Sequence, residues 1–108
     1  MNHPTLYTIE PTGSFDSSIA PELRRQVQAA LTSSATLVIL DCQGVSFMDS
    51  SGLGELILAY KSLKQAGIGL LLCAINEQVK TLLELTDLAQ IFEVFPSRHE
   101  AEQSLLAV

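Results

Sequence analysis

The sequence predicts an α/β fold: one domain with a four- or five-stranded mixed β-sheet and about four α-helices. Three observations carry this. Leu37-Val38-Ile39-Leu40 and Ile68 to Ala74 are continuous apolar runs without alternation. Such runs mark strands covered on both faces, as in a parallel sheet flanked by helices. Between them, Ser51 to Ala66 repeats apolar residues at helical spacing and stops at Gly67. Strand, helix and strand within about forty residues form a βαβ unit, whose strands are parallel and connected right-handedly.

The remaining elements follow in chain order. Thr5 to Ile9 alternates apolar and polar residues, as a half-exposed strand does. Pro11, Gly13 and Asp16 punctuate the next stretch, where a short second strand ends in a loop. A helix is expected from Ile19 to Leu31, with Ser18 as its N-cap and Pro21 in its first turn. Leu23, Val27, Ala30 and Leu31 form its apolar stripe. A third helix begins after Asn76, a good N-cap, and turns Val79, Leu82 and Leu83 inward. Phe92 to Phe95 reads as a short final strand ended by Pro96. Ser97 and Glu100 then form the S-x-x-E capping box of a last helix, whose inner face is Ala101, Leu105 and Val108.

Composition narrows the function. A chain of 108 residues fits one domain, 1–108, and 47% hydrophobic residues supply a core without metals or disulfides. With six Lys and Arg and a net charge of −6, nucleic acid and anionic membranes are unsuitable partners. Arg24 and Arg25 are adjacent but make no patch. The longest apolar stretch, Ile68 to Ile75, is far too short for membrane insertion, and Met1 to Ile9 shows no export signal. A cytoplasmic location is expected. Cys42 and Cys73 have neither zinc-site nor C-x-x-C spacing, and each ends an apolar run. They read as buried thiols, with a disulfide requiring that their strands be neighbours.

The informative segment is Phe47-Met48-Asp49-Ser50-Ser51-Gly52-Leu53-Gly54, between a buried strand and the central helix. In open α/β sheets, sites gather at such carboxyl ends of strands. Gly52 and Gly54 are poor choices for a first helical turn, each costing about 1 kcal/mol relative to Ala. Something is therefore expected to approach the backbone closely there. Ser51 is the expected cap, although Gly54 at the third following position removes any capping box.

Catalysis is not supported. The only histidines, His3 and His99, have no evident route to Ser50, and G-x-S-x-G is absent. No metal-ligand cluster is visible and no cofactor is implied; the glycines lack the further residues of a nucleotide-binding loop. Phosphorylation of a serine fits better. The helix dipole stabilises a seryl phosphate at a helix N-terminus by about 0.3–1 kcal/mol. Asp49 opposes it: at ~6 Å and an effective dielectric of ~20, each charge pair repels by roughly 3 kcal/mol. Salt and exposure shrink that figure, so the domain tolerates a modification that a docked partner does not. Leu58 faces away from the inner stripe of Leu53, Leu56, Ile57, Tyr60 and Leu63. It is a candidate apolar anchor for a partner that also covers Ser50, against the plainer reading of one exposed leucine.

At these residues the chain resembles the STAS family, the domains shared by anti-sigma factor antagonists and sulfate transporters. Gly13-Ser14-Phe15-Asp16 is similar to the loop after the second strand of that family. Leu37 to Asp41 and the block 47–54 are similar to its central strand and its D-[ST]-S-G-[hydrophobic]-G signature, and Leu82 to Thr86 to its third helix. In the antagonist branch, the serine after the aspartate is phosphorylated by an anti-sigma factor that is itself an ATP-dependent serine kinase. The unphosphorylated form captures that kinase, and a metal-dependent serine phosphatase resets the switch. The resemblance implies Ser50 as acceptor, with Ser51 as cap or second acceptor. It implies Asp16 and Asp49 as borders of the acceptor site, and Gly52 and Gly54 as residues that shape it. Two other readings stay open: a small-molecule or nucleotide sensor at the Asp16 and Gly52–Gly54 end, and a scaffold in another signalling pathway.

Overall fold

The computed structural model describes residues 5–106. Among them, β1 (Leu6–Ile9) and β2 (Thr12–Phe15) lead through a 3₁₀ turn at Ser17–Ile19 into α1 (Ala20–Thr32). Then come β3 (Leu37–Asp41), β4 (Gly44–Met48), α2 (Ser50–Gln65), β5 (Gly69–Cys73), α3 (Glu77–Leu85), β6 (Glu93–Phe95) and α4 (Arg98–Leu106). The α/β class and the four helices are as expected. The six strands divide into a four-stranded sheet of order β1-β3-β5-β6 and a two-stranded sheet of β2 and β4, and each ladder is parallel.

One face of the larger sheet packs Ile9, Leu40 and Leu72 against Leu23, Leu56, Leu63, Val79 and Leu83 of α1, α2 and α3. The other packs Ile39, Leu71 and Cys73 against Ala101 and Leu105 of α4. This two-sided cover is why β3 and β5 are apolar without alternation. It also decides the cysteines. Cys42 packs in the first cluster and Cys73 in the second, although Cys42 N–H donates to the Cys73 carbonyl at 2.9 Å. Both are buried and free.

The unforeseen strand is β4. Its register against β2 shifts between Gly13 and Ser14, leaving Ser46 unpaired, and its buried residues Val45 and Met48 fall three apart. A bulged strand loses the period-two signal, which is why the sequence pattern shows no strand there.

Two expected caps move. Ser18 does not cap α1; the chain enters through the 3₁₀ turn, and Asp16 caps that turn by accepting from Ser18 N–H at 2.9 Å and from the Ser18 hydroxyl. Ser51 does not cap α2, for the reason given below. Asn76 caps α3 as expected, accepting from Val79 N–H at 2.9 Å. Ser97 Oγ accepts from Glu100 N–H at 3.2 Å at the start of α4. Ala20, Leu23, Val27 and Ala30 are the buried residues of α1, with Leu31 half-buried. Val108, expected on the inner face of α4, lies outside the described residues.

Candidate functional site

Phe15 ends β2 opposite Met48, which ends β4. The next residues, Asp16 and Asp49, therefore emerge from neighbouring carboxyl ends of a parallel ladder, and Asp49 N–H donates to the Phe15 carbonyl at 3.3 Å. Asp49 has extended backbone and Ser50 is the first residue of α2. The helix begins one residue earlier than the pattern suggested, which makes Asp49 the N-cap: its carboxylate accepts from Gly52 N–H at 2.8 Å. Its own carbonyl accepts from Leu53 N–H at 2.9 Å. Ser50 and Ser51 are then free of capping work and lie exposed on the first turn.

The two glycines, alike in sequence, serve different ends. A Cβ on Gly52 would lie 1.8 Å from the Phe15 carbonyl oxygen. What approaches the backbone there is the end of β2, with no room left for a ligand. A Cβ on Gly54 would meet nothing within 4 Å, and its backbone is not in the left-handed region that favours glycine. The fold has no need of a glycine at 54, although the residue costs about 1 kcal/mol in helix propensity.

Asp16 is half-buried, and the Ser18 hydroxyl, followed by the Ser18 N–H, holds its carboxyl below the usual range. Both acidic residues of the site thus cap local turns. One turn along α2, Glu55 accepts two hydrogen bonds from Arg24 of α1, at 3.1 and 3.3 Å. Glu55 is 15% exposed and Arg24 68%. Leu58 follows, 52% exposed. It stands on the rim of a groove of about 310 Å³ between α1 and α2, whose floor includes Leu23, Val27 and Ala59.

Gln78 of α3 and its N-cap Asn76 support this region and were not singled out for it. The Gln78 carboxamide accepts from Met48 N–H at 2.8 Å and donates to the Met48 carbonyl at 2.7 Å, pairing with β4 as another strand would. The Asn76 amide donates to the Val45 and Ser46 carbonyls at 3.3 and 3.1 Å. Since β4 itself was not foreseen, no pattern in the sequence pointed to its side-chain partners.

The other features lie elsewhere. A cavity of about 640 Å³ sits between α3 and β6 and is lined by residues including Ile75, Lys80, Leu83, Phe92 and Phe95. It does not involve Asp16, Gly52 or Gly54, the end where a ligand was considered. His99 is exposed on α4, on the far face of the larger sheet from α2; His3 lies outside the described residues. Among the described residues, no group of three or more His, Cys, Asp or Glu is placed to hold a metal ion, and no helix is long and apolar enough to cross a membrane.

The family model for the STAS domain matches residues 2–101. An anti-sigma-B factor antagonist of Listeria monocytogenes is 32% identical over 82 residues, covering 76% of this chain and 72% of that protein. An anti-sigma F factor antagonist of Paenibacillus polymyxa is 27% identical over 108 residues, covering 99% and 92%. The anti-sigma factor antagonist SpoIIAA of Bacillus has the same fold. Its unphosphorylated form gives a TM-score of 0.80 at 20% identity, over 100% of this chain and 93% of that one. Its phosphorylated form gives 0.72 at 21% identity, over 96% and 94%.

Proposed function

The chain belongs to the STAS domain family, and from that premise we propose that it is an anti-sigma factor antagonist, a binding switch controlled at Ser50. With Ser50 unphosphorylated it sequesters an anti-sigma factor that is also an ATP-dependent serine kinase; with Ser50 phosphorylated it releases it. A metal-dependent serine phosphatase returns the modified form to the binding state. The reading places the protein in the cytoplasm, works by association and needs no cofactor of its own.

The observation that carries the reading is Ser50 itself: an exposed hydroxyl on the first residue of α2, beside two carboxylates at paired strand ends. The relatives named as antagonists and the phosphorylated form of SpoIIAA support the same reading. Asp49 and Gly52 fix the turn that presents the serine, and Asp16 borders it. Leu58, two turns on, is the apolar anchor of the partner surface.

Phosphopeptide mass spectrometry of the protein from its own cells, under two growth conditions, tests this. Phosphate on Ser50 with an occupancy that changes between conditions is expected. Ser50→Ala bait should then capture an ATP-binding kinase that Ser50→Asp bait does not. Leu58→Ala should weaken that capture at least tenfold while melting like the parent, since it is largely exposed. Equal capture by Ser50→Ala and Ser50→Asp would refute the switch.

A further inference from the structure

Ser50 and Ser51 are consecutive, both exposed, and both on the first turn of α2. If Ser50 is the acceptor, as the reading above holds and this inference requires, something must separate the two. In an α-helix each side chain leans toward the N-terminus and covers the turn before its own Cα, so residue i+4 stands over residue i. Over Ser51 stands Glu55, an anion held in place by two hydrogen bonds from Arg24. Over Ser50 stands Gly54, with no side chain at all and open space where a Cβ would be.

Packing does not explain that glycine. Gly52 is required by the Phe15 carbonyl, whereas a Cβ at 54 meets nothing within 4 Å. Glycine is the poorest helix former after proline, and residues that break a local rule without a structural gain tend to mark function.

The geometry points to Gly54 as the residue that selects Ser50 over Ser51 as phosphoryl acceptor, with the Arg24-held Glu55 closing Ser51. Transfer forms a bond from Ser50 Oγ to the γ-phosphorus of ATP as the bond from that phosphorus to the β–γ bridging oxygen breaks. ADP leaves, and the hydroxyl proton passes to a base of the kinase. The three phosphates must come up against the helix surface around the serine. Bare backbone at 54 leaves that approach free at Ser50. At Ser51 the same approach meets the Glu55 side chain, fixed in place by Arg24.

The test maps phosphate by fragment mass spectrometry on full-length protein from its own cells. Wild type should carry phosphate on Ser50, with Ser51 below a tenth of that occupancy. Gly54→Gln should lower Ser50 occupancy at least tenfold while melting at or above the wild-type temperature, which excludes unfolding as the cause. Glu55→Ala should raise Ser51 occupancy at least threefold. Ser50 occupancy in Gly54→Gln within twofold of wild type would overturn this inference and leave Ser50 standing as acceptor. Wild type without phosphate on Ser50 under any growth condition would overturn the acceptor reading, and the inference with it.

Discussion

Replacing each glycine of α2 by alanine separates the structural glycine from the surface one. At Gly52 the new Cβ would sit 1.8 Å from the Phe15 carbonyl oxygen, 2.5 Å from its carbon and 2.9 Å from its ring. Phe15 is fully buried, so it has nowhere to go; the helix start must retreat by about 1.4 Å to reach even a tight contact. Overpacking of this kind costs about 1–3 kcal/mol. The retreat also pulls Gly52 N–H from the Asp49 carboxylate, a cap worth about 1 kcal/mol. Against this stands a gain of about 1 kcal/mol in helix propensity. The net loss is about 3 kcal/mol at the upper end of packing cost. An unfolding entropy of about 0.23 kcal/mol/K for 108 residues converts that to a melting temperature lower by about 13 °C. Gly54→Ala meets nothing and keeps only the propensity gain, a rise of about 4 °C. Far-ultraviolet circular dichroism is the assay, since the chain has no tryptophan. Gly52→Ala melting within about 3 °C of wild type would refute the packing of α2 on the end of β2. Gly54→Ala melting below wild type would refute the open surface over Ser50.

Asp49→Ala removes the N-cap and should cost about 1 kcal/mol, whereas Asp49→Asn keeps it within a few tenths, as read by urea midpoints. Gln78→Ala leaves the Met48 N–H and carbonyl without partners. It should cost about 1–3 kcal/mol and speed hydrogen exchange at Met48. Burial, then the neighbouring Cys73, raises the Cys42 thiol to about 12, and burial followed by Asp41 raises Cys73 to about 11. The folded state thus binds protons more tightly than the unfolded one. Stability from these thiols is full below the ordinary value of 9.0 and falls as the pH rises from there toward the raised values. Urea midpoints across that range should fall, less steeply in Cys42→Ala, and both thiols should resist alkylating reagents until the protein unfolds.

What was legible in the sequence was what strong periodicity records. Leu37 to Leu40 and Ile68 to Ala74 announced two covered strands because both faces of β3 and β5 are packed. Asn76 announced α3 because its cap is local. The segment 47–54 stood out by its composition, and in the structure Asp49 caps the helix whose first residue is the exposed Ser50. What failed to show was whatever depends on a partner far along the chain. The β4 strand is defined by pairing with β2 across a bulge, and Gln78 by bonding to β4 thirty residues away. Gly52 and Gly54 looked equivalent because the carbonyl that distinguishes them belongs to Phe15.

The turn also suggests why a phosphate on Ser50 would act on a partner more than on the fold. Ser50 bonds to neither β2 nor β4; the turn is held by Asp49 N–H on the Phe15 carbonyl, Gly52 N–H on the Asp49 carboxylate and Gln78 on Met48. A phosphate there breaks none of these. Its charge sits at the positive end of a helix of 16 residues, which offsets part of the roughly 3 kcal/mol per charge pair set against Asp49. On the exposed surface, solvent and salt reduce the remainder. Under a docked partner the relief from solvent and salt weakens, because water is excluded. A residual repulsion of about 3 kcal/mol in that setting is a loss of more than a hundredfold in affinity. On the proposed reading, the switch therefore needs no conformational change in this domain, only a surface on which the same charge is tolerable in water and intolerable under a lid.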